Sequence, residues 1–260
     1  MSIKESQAQG LWTRLRVLLG VRDSRQGLSE VDELGIRIPP ARLRYDVAGT
    51  NDLEWFLEGG RLGLETLVTA LEKEKVDLAS FDSILDFGCG CARVLRHLSG
   101  FTETQLHGSD ISRKGISWAD HFLNFAVFGT NKINPPTRYR QNSFDFIYAL
   151  SVFTHLSHGL QKGWMKELHR ILKPNGYLLI SVHGTHYRDK IPDELKGEFD
   201  KGKLVVTGVR QNGSNHCAAF HPEPYVQQYM ANESGFEILQ HVPRGALGNP
   251  EQDVYLMQSI

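Results

Sequence analysis

The first residues of this chain that are suited to chemistry are an acid and two glycines, which lie between two apolar segments. The apolar run 83–85 ends in Asp86, and Gly88, Cys89 and Gly90 follow before apolar residues resume at helical spacing. Glycines at such a turn permit positive φ and let the backbone approach a ligand closely, while a helix that starts there offers unpaired N–H groups. The pattern therefore predicts a strand, a tight turn and a helix N-terminus that together bind a nucleoside-containing ligand.

A second acid, Asp110, stands at the end of the next predicted strand. A carboxylate in that place can accept hydrogen bonds from both hydroxyl groups of a ribose. The alternative is that Asp110 is only a favourable negative charge before a helix that begins near Ser112. The register of Asp110 with the glycine turn favours the ribose interpretation.

The residue at position 93 separates the two ligand classes that use such a turn. The dinucleotide fingerprint G-x-G-x-x-G needs a third glycine, and this chain has Arg93 there. A phosphate-binding P-loop is excluded because no Gly-Lys-Ser/Thr follows. An adenosyl sulfonium compound is then the favoured ligand, and a nicotinamide dinucleotide is the alternative.

Four motifs, which follow one another along the chain, resemble the motifs of one protein family. DFGCG at 86–90 resembles motif I of class I S-adenosylmethionine-dependent methyltransferases, and Asp110 stands where that family has its ribose-binding acid. SFDFIY at 143–148 resembles the family's fourth strand, and LKPNG at 172–176 resembles its helix–turn–strand motif. The chain is identified by this resemblance, over about residues 81–183, as a member of the family.

Alternating strands and helices from residue 81 onward predict a parallel sheet built from βαβ units. The resemblance implies the same α/β fold, a Rossmann-like, seven-stranded, mostly parallel sheet with helices on both faces. The predicted strands of this sheet lie at 83–87, 105–109, 125–130, 144–150, 177–182, 236–241 and 254–258, the last of them antiparallel. Further strands are predicted at 203–209 and 217–220. The predicted helices lie at 52–58, 62–75, 92–99, 112–123, 159–172 and 223–231, with Gly59-Gly60 as the stop between the first two.

The chain is expected to divide into three parts, the third of which contains an insertion. Residues 1–30 form an arm with a short amphipathic helix, residues 31–80 a helical extension, and residues 81–260 the cofactor-binding domain. Within that domain, the insertion 184–225 before the last two strands is expected to cover the acceptor. The amphipathic helix is expected to pack on the domain or on a second subunit, as a homodimer contact, rather than on a membrane surface, because it is short.

The resemblance implies that S-adenosyl-L-methionine lies across the carboxyl ends of the strands, where the strand order reverses. Arg44, in the stretch 42–50, is expected to pair with the methionine carboxylate; the alternative is a surface loop with solvated arginines. Asn131 stands where the family more usually has Asp and is expected to bond the adenine amino group. The residues that the resemblance assigns to the cofactor are Asp86, Gly88, Cys89, Gly90, Asp110, Ile111, Asn131, Ser151 and Val152.

Methyl transfer from a sulfonium is an in-line displacement, in which an enzyme mainly supplies proximity and alignment. A general base is needed where the attacking atom carries a proton, and histidine suits that role. His155 after the fourth strand and His183 after the fifth are the candidates, and Tyr45 is expected near the methyl group. The alternative for either histidine is a structural bond to a helix end or a backbone carbonyl. No metal is expected, because His216 and His221 lack a regular ligand spacing.

The composition of the chain limits the kinds of partner and the location that we expect. Lys+Arg number 29 and Asp+Glu 30, so the net charge of -1 provides no field for gathering nucleic acid. No apolar run reaches the roughly 20 residues that span a bilayer, and the three cysteines form no disulfide framework, which favours the cytoplasm. The expected function is methyl transfer to an O or N atom of a small-molecule or glycan-type acceptor. An NAD-linked oxidoreductase and a non-catalytic binding subunit with the same fold are the alternatives.

Overall fold

The computed structural model describes residues 31–214, 216–249 and 251–260. The predicted arm 1–30, with its amphipathic helix and its homodimer contact, lies outside the described residues. Within the described ranges, no helix combines the length and the apolar character needed to cross a membrane.

A seven-stranded sheet forms the centre of the molecule. The strands of the described residues are β1 (Ser83–Phe87), β2 (Gln105–Asp110), β3 (Val127–Thr130), β4 (Phe144–Ala149), β5 (Leu172–Val182), β6 (Val205–Thr207), β7 (Ala218–Phe220), β8 (Phe236–Val242) and β9 (Asp253–Ser259). The sheet has the order β3-β2-β1-β4-β5-β9-β8. Strands β1 to β5 pair in parallel, and β9 runs antiparallel between β5 and β8. The predicted fold is confirmed, and the strand order reverses between β1 and β4.

Helices cover both faces of this sheet. They are α1 (Ala41–Ala48), α2 (Leu53–Lys73), α3 (Arg113–Phe122), α4 (His158–Ile171), α5 (Asp193–Asp200) and α6 (Glu223–Tyr225), the last continuing as a π-helical segment over Val226–Ala231. Short 3₁₀ segments lie at Leu78–Ser80, Leu95–Leu98, Phe153–His155, Thr185–Lys190, Val209–Gln211 and Asn232–Ser234. Leu67 of α2 and Trp118 of α3 belong to one apolar core, and Trp164 of α4 belongs to a second.

The stop predicted at Gly59-Gly60 is wrong, because α2 is one continuous helix through both glycines. A Cβ atom on Gly59 would lie 2.7 Å from the guanidinium of Arg93, and one on Gly60 would overlap the Arg93 carbonyl oxygen. The two glycines therefore allow the helix to pack directly against the chain after β1. Burial of the apolar face of α2 outweighs the low helix propensity of glycine.

The helix predicted over 92–99 is also wrong. After Gly90 the chain makes turns, and a short 3₁₀ segment, Leu95–Leu98, follows. Ala92 has a φ of +65°, which lies outside the right-handed helical region, so a helix cannot begin there. The glycine turn therefore leads into further turns and not into the helix N-terminus that the sequence predicted.

The insertion 184–225 has a small sheet of its own. β6 and β7 pair antiparallel, so the strands predicted at 203–209 and 217–220 are present but shorter. A bridge between His183 and Phe220 attaches this sheet to the end of β5. The insertion also has a separate apolar cluster, which consists of Ile191, Phe199, Val205 and Phe220.

Candidate active site

A cavity of about 1030 Å³ opens at the carboxyl ends of the parallel strands, where the strand order reverses. Its wall is formed by α1, the glycine turn, the ends of β2, β3 and β4, the insertion and the loop between β8 and β9. Two predicted site residues, Arg44 and His183, lie outside the wall. The predicted residues that line it are Tyr45, Asp86, Gly88, Cys89, Gly90, Asp110, Ile111, Asn131, Ser151, Val152 and His155.

The glycine turn is packed between two valines. Gly88 and Gly90 have φ values of +87° and +56°, which glycine adopts without steric cost. A Cβ atom on Gly88 would overlap the side chain of Val152, and one on Gly90 would overlap the side chain of Val47 in α1. The helix α1, which occupies the stretch expected to cover the cofactor, therefore lies directly over the turn.

The Asp110 carboxylate binds backbone N–H groups of the glycine turn and of the segment before α3. Its Oδ2 accepts a hydrogen bond from the Gly90 N–H at 2.8 Å, and its Oδ1 accepts one from the Ser112 N–H at 2.6 Å. Burial raises the pKa of this carboxyl, whereas the two N–H donors act in the opposite direction. Each carboxylate oxygen has further lone pairs for a ribose hydroxyl, and Asp110 also holds the glycine turn in place.

Asn131 lies in the cavity wall next to the end of β2. Its Oδ1 accepts a hydrogen bond from the Ser109 hydroxyl at 2.9 Å, and its Nδ2 donates to the Lys132 carbonyl at 2.8 Å. These two bonds fix the orientation of the amide. The adenine contact stays a prediction, which relies on the second amide hydrogen of Asn131.

Two buried ionisable residues, Asp86 and Arg93, lie on either side of the glycine turn in the chain and line the cavity. Burial raises the pKa of Asp86 to about 8, while Tyr148 and Arg93 act in the opposite direction. The guanidinium of Arg93 donates from Nη1 to the Gly248 carbonyl at 3.1 Å and from Nη2 to the Asn249 Oδ1 at 2.6 Å. Arg93 also lines the cavity, although the sequence suggested only that it is not a third glycine.

The guanidinium of Arg44 donates hydrogen bonds to backbone carbonyls outside the cavity wall. Its Nη1 donates to the Pro39 carbonyl at 2.8 Å, and its Nη2 donates to the Asn51 carbonyl at 3.0 Å. These bonds connect the two ends of α1. Its expected pairing with the methionine carboxylate stays a prediction.

His155 lies in the cavity wall with a defined tautomer. Its Nδ1 is 2.8 Å from the Cys217 carbonyl oxygen, and because a carbonyl only accepts, Nδ1 carries the proton. Burial lowers the pKa of His155, and the bond to Cys217 acts in the opposite direction. The neutral ring therefore has an unprotonated Nε2, which is the state that a general base requires.

His183 has a similar bond but a different position. Its Nδ1 donates to the Ala219 carbonyl at 3.2 Å, and its ring stacks on Tyr187 with centroids 4.1 Å apart. Burial lowers the pKa of His183 to about 4. Both histidines therefore bond to carbonyls in or directly before β7, Ala219 within the strand and Cys217 just ahead of it.

The described residues contain no cluster of three or more histidine, cysteine or acidic side chains that could hold a metal ion. Cys89 and Cys91 are buried free thiols. Burial raises the pKa of Cys89 well above its usual range and that of Cys91 to about 12. These thiols are therefore protonated and act as small packing groups around Gly90.

The loop between β8 and β9 is the part of the site that sequence reasoning missed. Gly248, Asn249 and Gln252 line the cavity, although they are far from the glycine turn in the chain, with Gly248 155 positions after Arg93. The loop contains no motif of the resemblance. The one sequence signal for this loop is Arg93, because an arginine that is buried near a glycine turn needs hydrogen-bond acceptors from elsewhere in the chain.

A family model described as "Methyltransferase domain" matches residues 59–241. The chain belongs to this methyltransferase family. The resemblance to class I S-adenosylmethionine-dependent methyltransferases is confirmed, and S-adenosyl-L-methionine is the cofactor of that family. The NAD-linked alternative is thereby removed.

Two curated relatives of this methyltransferase show low sequence identity to it. Phosphoethanolamine N-methyltransferase of Plasmodium falciparum is 24% identical over 139 residues, which are 52% of this chain and 52% of that protein. An uncharacterized protein of Methanocaldococcus jannaschii is 31% identical over 126 residues, which are 48% of this chain and 47% of the relative. The chain spans about half the length of the curated relatives it matches.

Among solved structures, an S-adenosylmethionine-dependent methyltransferase from Clostridium acetobutylicum is similar with a TM-score of 0.58 and 15% sequence identity. The similarity covers 83% of this chain and 96% of that chain. At this identity it shows a common fold.

Proposed function

We propose that this methyltransferase transfers the methyl group of S-adenosyl-L-methionine to an oxygen or nitrogen atom of a small-molecule or glycan-type acceptor. The observation that carries the proposal is the position of His155. Its ring lies in the same cavity wall as the glycine turn and Asp110, and the Cys217 carbonyl holds its Nδ1 proton. A neutral imidazole in that state can take a proton from a hydroxyl or an ammonium group of the acceptor.

The cofactor is proposed to lie along the glycine turn. Gly88 and Gly90 let the backbone approach it, and Asp110 accepts hydrogen bonds from the ribose hydroxyls. Arg93 is a cation in the cavity wall, so we assign it the methionine carboxylate in preference to Arg44. The cofactor supplies an electrophilic methyl group, and the chain supplies alignment and a proton acceptor.

An acceptor is proposed to bind beside the cofactor, under the insertion. The cavity, at about 1030 Å³, is at the upper end of ligand sites, which measure roughly 300–1,000 Å³. Tyr45, Tyr187 and His216 line it, and their polar rings suit a ligand with hydroxyl or amine groups. The name of the Plasmodium falciparum relative states an N-methyl transfer, which supports nitrogen as one type of acceptor atom.

We also propose that the protein is cytoplasmic, forms a homodimer and does not act on nucleic acid. Balanced charge supports an acceptor other than nucleic acid. The amphipathic pattern of Leu11, Leu15, Leu18 and Leu19 supports a homodimer contact through residues 1–30, and three cysteines without a disulfide framework support a cytoplasmic location.

The test combines binding with transfer. Calorimetry with S-adenosylhomocysteine measures cofactor binding, and tritium transfer from labelled S-adenosylmethionine to a panel of hydroxylated and amine-bearing compounds measures activity. We expect binding by the purified protein, and transfer that is lost in His155→Asn while cofactor binding is retained. A protein that binds no S-adenosylhomocysteine refutes the proposal, and one that binds it but methylates nothing supports the non-catalytic alternative.

A further inference from the structure

The side chain of Gln252 connects the hydroxyl groups of Ser181 and Ser151 at the cavity. Gln252 is 6% exposed and lies just before β9. Its Oε1 accepts a hydrogen bond from the Ser181 hydroxyl at 2.7 Å, and its Nε2 donates to the Ser151 hydroxyl at 2.9 Å. The Ser151 N–H in turn donates to the Ser181 hydroxyl at 2.8 Å. The three residues therefore form a closed ring of hydrogen bonds.

The direction of these bonds follows from the chemistry of the groups. The Ser181 hydroxyl is fully buried, so its proton needs an acceptor, which is the Gln252 Oε1. The amide nitrogen of Gln252 then faces Ser151 as a donor, and the Ser151 oxygen is an acceptor in this ring. The hydroxyl proton of Ser151 is consequently not used within the ring.

The remaining contacts of Ser151 leave that proton available to a ligand. Thr154 Oγ1 lies 3.3 Å from the Ser151 hydroxyl, longer than the roughly 2.7–2.8 Å of a good O–H···O bond. The Thr154 hydroxyl donates its own proton to the Ser151 carbonyl at 3.0 Å. Ser151 lines the cavity and has a φ of +60°. Residues other than glycine keep such a backbone only where the surrounding structure holds it.

The same loop also positions a cation. Gly248 and Asn249 accept the hydrogen bonds of Arg93, and the Gln252 N–H donates to the Asn249 carbonyl at 3.3 Å. The loop thus presents a guanidinium and a hydroxyl donor to one cavity. A carboxylate, which accepts several hydrogen bonds and carries the opposite charge, matches this pair of groups.

We propose that Gln252 is a positioning residue that orients the Ser151 hydroxyl toward the carboxylate of the cofactor's methionine part, on which Arg93 also acts. The inference rests on the proposed function, because it takes S-adenosyl-L-methionine as the ligand. It predicts that removal of the Gln252 amide weakens recognition of this carboxylate and leaves the rest of the cofactor site intact.

The experiment compares two ligands that differ by that carboxylate. Calorimetry measures the affinity of each variant for S-adenosylmethionine and for decarboxylated S-adenosylmethionine. We expect Gln252→Met to reduce affinity for the first about 10- to 100-fold, as for a hydrogen bond to a charged group, and to leave affinity for the second almost unchanged. Ser181→Ala, which removes one hydroxyl outside the cavity wall, is expected to reduce the preference for S-adenosylmethionine in the same direction.

A matched control is available in β9, the strand that follows Gln252. Gln258 lies near the far end of β9, where its amide donates to the Asn175 carbonyl, and Gln258→Met is expected to keep the wild-type preference. An equal loss for both ligands, or an unchanged preference in both Gln252→Met and Ser181→Ala, would overturn the inference alone. Wild-type protein that binds neither ligand would overturn the proposed function and the inference with it.

Discussion

The glycine turn and the insertion both line one cavity, but the contacts that hold them differ in part. At the turn, backbone atoms approach so closely that added Cβ atoms on Gly60, Gly88 and Gly90 would overlap their neighbours. The insertion is attached by the backbone bridge between His183 and Phe220 and, in addition, by two histidine side chains that donate to the carbonyls of Cys217 and Ala219. In the proposed function, the cofactor side of the cavity is therefore held by close backbone packing, and the acceptor side has side-chain hydrogen bonds as additional anchors.

Each region reflects a different requirement. A cofactor of constant shape is recognised best by a preorganised backbone, because little conformational freedom is then lost on binding. An acceptor-specific region needs side chains that can differ without disturbing the sheet, and such residues are commonly found on loops and insertions. The variants below distinguish the two regions, beginning with the largest expected effect.

His155→Asn is expected to lower kcat by about 100- to 10,000-fold, because the variant lacks a proton acceptor for the methyl acceptor. The affinity for S-adenosylhomocysteine should stay near that of the wild type. Initial rates and calorimetry measure the two quantities. His183→Asn serves as the comparison, and its kcat should fall less, since His183 lies outside the cavity wall; a larger loss in His183→Asn would reverse the assignment.

Asp110→Ala is expected to weaken cofactor binding by about 100-fold, because charge-assisted bonds to the ribose are lost. Calorimetry with S-adenosylhomocysteine measures the effect, and circular dichroism checks that the fold remains. Asp120→Ala, which removes an exposed acid from α3, should leave binding unchanged. Equal affinity in the Asp110 and Asp120 variants would count against the ribose contact.

Gly60→Ala is expected to lower the free energy of unfolding by about 1–3 kcal/mol, because its Cβ would press on the Arg93 carbonyl oxygen. Gly197→Ala is the matched control in α5 of the insertion, where no heavy atom lies within 4 Å of an added Cβ. It should be neutral or stabilising, since alanine favours helix. Urea unfolding measures both, and equal losses would refute the proposed difference in packing.

Asp86→Asn is expected to change how stability depends on pH. The folded pKa of Asp86 is about 8, against an ordinary value of 3.8, so the folded state holds a proton that the unfolded state has lost between these values. This residue's contribution to stability therefore decreases as pH rises from about 4 to 8. The difference in unfolding free energy, variant minus wild type, should rise by about 2 kcal/mol between pH 6 and 8; a constant difference would contradict the raised pKa.

Much of the fold could be predicted because its signals are local. Period-two and buried apolar runs located the strands of the main sheet to within a few residues, apart from the early start of β5. The errors occurred where tertiary contacts override local preference. Gly59 and Gly60 lie inside α2 because of the close approach of Arg93, and the positive φ of Ala92 prevents the helix expected after the glycine turn.

By itself, the sequence determined the class of the protein, since the DFGCG turn, the acid at position 110 and the two later motifs are short patterns of neighbouring residues. Only the tertiary structure decided which side chains share the cavity. Arg93 bonds to a residue 155 positions away, and Gln252 bonds to one 101 positions away. No local pattern encodes such contacts, because they depend on how the sheet brings distant loops together at the carboxyl ends of its strands.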